Sequence, residues 1–155
     1  MHFNNLNEII DFAIAKEVEA AEFYRSVSEQ ESFSGKKEMF LEFAAEERKH
    51  QALLEDLKSG KVAPKLDDYK FKWITDIKRS DYVDDIAYKP GMPYADILRL
   101  ATKREEKALK FYTDFSEKTS TPKYKKVFQA LAQEEAKHKL KLETLLDDYL
   151  AAMGD

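Results

Sequence analysis

Apolar residues recur at three- and four-residue spacing through most of the chain, and each such stretch closes at residues on which helices stop. In the first stretch Ile9, Ile10, Phe12, Ala13, Ala20, Tyr24 and Val27 fall on one helical face. Asn5 with Glu8 three residues on reads as a capping box, in which the Asn side chain accepts from an open backbone N–H. Ser34-Gly35 stop the pattern, so the spacing predicts a first helix over about 5–32. The second stretch starts near Lys36 and carries Met39, Phe40, Phe43, Ala44, Leu53, Leu54 and Leu57. Ser59-Gly60 close it, with Gly60 suited to a left-handed cap. The link between these two helices is short, which predicts an antiparallel pair.

Residues 60–92 break the rhythm. Pro64, Pro90, Gly91 and Pro93 interrupt the chain, and Tyr69, Phe71 and Trp73 cluster between them. A structureless loop of this length is uncommon. The stretch therefore predicts a long crossover with a short helix over 80–88, capped by Ser80, and with its aromatics packed on the longer helices. Such a crossover can return the chain to its starting end. Pro93 then suits the first turn of a third helix, where its missing N–H costs nothing. That helix runs to Lys118 through Ile97, Leu98, Ala101, Ala108, Phe111, Tyr112 and Phe115. Thr121-Pro122 repeat the cap-and-proline signal. A fourth helix carries Val127, Phe128, Leu131, Leu142, Leu145, Leu146 and Tyr149 and ends before Gly154. The pattern predicts an all-α antiparallel four-helix bundle, with a long crossover between helices 2 and 3 and one domain over 1–155.

An offset of 88 residues superposes the two halves without a gap. Ala13, Glu17, Ala20, Phe23, Tyr24, Ser28 and Glu29 meet Ala101, Glu105, Ala108, Phe111, Tyr112, Ser116 and Glu117. In the second helix of each half, Phe40, Ala44, Glu46, Glu47, Lys49, His50, Leu54, Glu55 and Leu57 meet Phe128, Ala132, Glu134, Glu135, Lys137, His138, Leu142, Glu143 and Leu145. The chain reads as a duplicated helical hairpin, 5–58 and 93–150, with an approximate two-fold relation.

Composition narrows the chemistry. With 43% hydrophobic and 36% charged residues but only four Gly and four Pro, the chain suits long helices over a turn-rich β-fold. It has no Cys, which excludes disulfides, thiolate zinc sites, Cys-ligated iron–sulfur clusters and a thiol nucleophile. The net charge of -4 with no basic block argues against a nucleic-acid partner. No apolar run approaches the roughly 20 residues of a membrane span, and the start is polar at His2, Asn4 and Asn5. A soluble cytoplasmic protein with no membrane partner is expected.

The repeat also carries ionisable groups on apolar faces. Glu17 sits between Ala13 and Ala20, with Tyr24 seven residues on, and Glu105 sits likewise with Ala101, Ala108 and Tyr112. Glu47 and His50 lie between Phe43 and Leu54; Glu135 and His138 lie between Leu131 and Leu142. Glu46 and Glu134 fall off this register and are expected at the surface. Four carboxylates held together repel one another and are costly to bury. Either they face solvent or positive charge sits between them, and two divalent ions would balance them. Oxygen donors with two imidazoles suit iron or manganese, and ligand type also admits zinc.

In these pieces the sequence resembles the ferritin-like di-iron carboxylate superfamily, and within it rubrerythrin-type proteins. The resemblance covers all four helices and leaves the crossover unmatched. It implies that Glu17 and Glu105 are terminal carboxylates, Glu47 and Glu135 bridges, and His50 and His138 terminal nitrogen ligands. Tyr24 and Tyr112 would donate to ligand carboxylates. It further implies two iron ions and an oxidoreductase that reduces hydrogen peroxide or dioxygen; the alternative is iron binding or storage with ferroxidase activity. Rubrerythrins usually carry a rubredoxin-like domain with four Cys, which this chain lacks. Electrons would therefore come from an external donor such as a rubredoxin-type protein. Ala108 stands where rubrerythrins have an additional Glu, so their redox-linked ligand exchange does not carry over. Arg48 stands where bacterioferritins place a haem-binding Met, so no haem is expected. A homodimer is expected, with the crossover aromatics as one possible contact.

Overall fold

The structure is a computed structural model and describes residues 5–30, 36–60 and 88–153. Regular structure among them is entirely helical: α1 (Leu6–Ser28), α2 (Lys37–Ser59), α3 (Tyr94–Lys118) and α4 (Pro122–Ala152). The chain divides into two compact units, Met1–Lys65 and Leu66–Asp155. In the first, α1 packs on α2; in the second, α3 packs on α4. This is the pairing of neighbours that a four-helix bundle uses. The expected helix over 80–88, apart from Tyr88, which is not helical, and the cluster of Tyr69, Phe71 and Trp73 lie outside the described residues. Among the described residues no helix is long and apolar enough to cross a membrane.

Cross-helix partners show that the first unit is an antiparallel hairpin. Tyr24 meets the edge of Phe43 at 5.3 Å and stacks on Phe40 at 6.2 Å. Arg48 reaches Glu22 at 2.6 Å, and Lys58 reaches Asp11 at 2.5 Å. Partners thus descend α1 as they ascend α2. The capping box is half formed: Asn5 Oδ1 accepts from the Glu8 N–H at 2.9 Å. α1 ends at Ser28, short of the expected 32, and the cause is local. The Ser28 hydroxyl donates to the Arg25 carbonyl at 2.6 Å, the group that would accept the next helical bond. The Glu29 N–H turns to the Ser26 and Val27 carbonyls instead. Gly60 closes α2 in the left-handed region (φ 85), a conformation that other residues adopt only with strain.

The second unit repeats this design. Tyr112 stacks on Phe128 at 6.2 Å, the same ring separation as Tyr24 on Phe40. Tyr94 meets Tyr149 edge-on at 5.0 Å, which fixes α3 and α4 as antiparallel. Two start signals resolve differently from expectation. Pro93 lies just outside α3 rather than in its first turn, with extended ψ 147, and its carbonyl accepts from the Ile97 N–H at 3.1 Å. Pro122 does occupy the first turn of α4, but the Thr121 side chain makes no cap bond. A preceding hydroxyl, Thr119 Oγ1, accepts from the Thr121 N–H at 3.3 Å. The core of each hairpin is aliphatic and aromatic: Ile10, Val27, Phe40 and Leu54 in one, Ile97, Val127, Phe128 and Leu142 in the other, all buried.

Candidate metal centre

Within the apolar core of the first unit, helical spacing places three ionisable side chains on the buried faces. α1 supplies Glu17, one turn from buried Ala13; α2 supplies Glu47 and His50, between Phe43 and Leu54. All three are buried, and their donor atoms lie within 4.8 Å of one another. His50 Nδ1 is 3.5 Å from Glu17 Oε2 and 3.2 Å from Glu47 Oε1. The second unit builds the same set from Glu105 on α3 and Glu135 and His138 on α4, again buried and within 4.8 Å of one another. His138 Nδ1 is 3.5 Å from Glu105 Oε1 and 3.6 Å from Glu135 Oε1.

These sets fit a metal ion. Donors bonded to zinc-sized cations lie about 2.0–2.2 Å from the ion, so neighbouring donors around it are roughly 3.0–3.5 Å apart. The observed separations of 3.2–3.6 Å are close to such an edge. Each set pairs two carboxylates with one imidazole, a charge that one divalent ion would balance. The donors are oxygen and nitrogen, the mixture that suits iron, manganese or zinc. Dry carboxylates that face one another would otherwise raise the energy of the fold.

Sequence spacing therefore identified the residues that converge in each hairpin. Tyr24 and Tyr112 are buried in the same hairpins, each packed on the aromatic core. Glu47 and Glu135, the carboxylates of the Glu-x-x-His register, are buried. Glu46 and Glu134 are only half-buried rather than fully at the surface. Sequence reasoning missed a second group of buried polar residues on α4: Gln133, Lys139 and Glu143. A signal was present. Lys139 and Glu143 stand four and eight residues after Glu135, along one stripe of the helix.

Helical hairpins that each bury a Glu and a Glu-x-x-His have the donor set with which carboxylate-rich helix bundles bind metal. A sequence model of the Rubrerythrin family matches residues 8–85 and 96–152, and the chain belongs to that family. It is also similar to a solved structure, a hypothetical protein from Pyrococcus furiosus, at 28% identity and a TM-score of 0.71. That match covers 96% of this chain and 92% of the other. No curated protein matches the chain.

Proposed function

We propose that the protein is a di-iron carboxylate oxidoreductase that reduces hydrogen peroxide or dioxygen with electrons from a separate donor. The observation that carries this reading is the duplicated, buried set of one Glu and one Glu-x-x-His in each hairpin. Membership of the Rubrerythrin family supports it. In this reading Glu17, Glu47 and His50 of one hairpin and Glu105, Glu135 and His138 of the other would hold two ions, with Glu17 and Glu105 as terminal carboxylates, Glu47 and Glu135 as bridging ones and the histidines as terminal nitrogen ligands. The Tyr24 and Tyr112 hydroxyls would donate to ligand carboxylates and orient them. Two ferrous ions held there would supply the two electrons and the Lewis acidity for reducing an O–O bond.

With no Cys among these residues to hold an electron-transfer iron, the reading assigns the electrons to a rubredoxin-type partner. A cytoplasmic homodimer is part of the same proposal. To test the reading, the purified protein is loaded anaerobically with ferrous iron and mixed with hydrogen peroxide or with oxygenated buffer. Rapid oxidation by at least one oxidant, repeated on re-reduction, is expected. Two bound irons that neither oxidant touches would sink the catalytic claim. Iron storage is the competing reading, and size-exclusion separates it: storage requires a shell of many subunits.

A further inference from the structure

The hairpins repeat their ligands but not what surrounds them. In the second unit, Lys139 follows His138 and is 1% exposed. Its Nζ lies 3.7 Å from Glu106 Oε2, and Glu106 follows Glu105. Glu106 Oε1 also meets Lys103 Nζ at 3.5 Å. One ion pair, with its lysine buried and its carboxylate partly exposed, thus ties α3 to α4 next in sequence to two of the three expected ligands. The corresponding residues in the first unit are Val18 and Gln51, which can form no ion pair. There the tie beside the ligands is Arg48–Glu22 at 2.6 Å, with side chains 46% and 48% exposed. Water and salt weaken a pair of that kind, whereas a partly buried pair such as Lys139–Glu106 is screened less.

We propose that Lys139 and Glu106 are positioning residues that preorganise the Glu105, Glu135 and His138 set, so that this set takes up the first of two divalent ions. The proposal rests on the metal-binding reading above. Holding two carboxylates and an imidazole in register before an ion arrives is unfavourable, and a rigid cross-helix tie reduces the ordering left to the binding step. The positive charge on Lys139 is offset by Glu106, so it does little to repel an arriving cation. Removal of partners that orient a ligand set typically weakens metal affinity by about 10–100-fold.

The test is a Co²⁺ titration of the full chain, stripped of metal, followed by visible absorption and by equilibrium dialysis. Wild type should bind two ions in two resolved steps. H138A should lose the tighter step and H50A the weaker one. K139M should weaken the tighter step by about tenfold or more, while K139R restores it; added salt should affect chiefly the weaker step. E106Q, at a half-buried position, gives the same readout if K139M is too unstable to purify. The proposal is overturned if H50A removes the tighter step. It is also overturned if K139M and E106Q weaken both steps equally, as a merely structural pair would. Wild type that binds no Co²⁺ would overturn the metal reading itself along with it.

Discussion

At the scale of single residues, the chain buries carboxylates together, an unfavourable arrangement that a bound cation would relieve. Glu17 and Glu47 share one buried set and Glu105 and Glu135 the other, each pair within reach of a single imidazole nitrogen. Mutual repulsion in a dry core lowers the stability of the metal-free protein. Glu47→Gln and Glu135→Gln remove one charge each and keep the shape. Both variants should melt higher than wild type without metal and gain less on metal addition. Each should also lose more than one ion's worth of binding, because the residue is read as a bridge. Calorimetry with and without metal, beside metal analysis, checks this. Variants that melt lower without metal and keep two ions would contradict it.

At the scale of helices, the duplication reaches below sequence identity. Tyr24 on Phe40 and Tyr112 on Phe128 are separated by the same 6.2 Å. The helices, the hairpins and both ligand sets were legible because amphipathic spacing and an exact 88-residue offset both survive in the chain. Helix ends were less legible. They depend on single side-chain bonds, such as the Ser28 hydroxyl on the Arg25 carbonyl, that periodicity does not register. The burial of Lys139 was also hidden, since a lysine in a charged helix ordinarily faces solvent and only packing reveals the exception. One electrostatic contact of α1 makes a prediction. Arg25 beside Glu22, with Arg48 adding to it, holds the Glu22 carboxyl below its ordinary range. A carboxyl with a lowered folded pKa stabilises above the unfolded value and loses that contribution as pH falls through the folded one. The melting-temperature difference between wild type and Glu22→Gln should therefore be small and positive near neutrality and vanish in acid. Since the group is exposed, added salt should erase it too. A difference that grows on acidification would contradict the assignment.

At the scale of the whole molecule, the chain consists of two compact units, each with its own core and its own buried set of two Glu and one His. Duplication explains how a symmetric pair of ions could arise from one ancestral hairpin that carried a single Glu and one Glu-x-x-His. It also sets the central claim, that the two sets act on adjacent ions. A crystal grown with iron, with anomalous data collected on both sides of the iron absorption edge, tests this most directly. The account predicts two iron peaks per chain, roughly 3.5–4 Å apart, one bonded to His50 and the other to His138. A single peak, or peaks bonded to neither histidine, would contradict it.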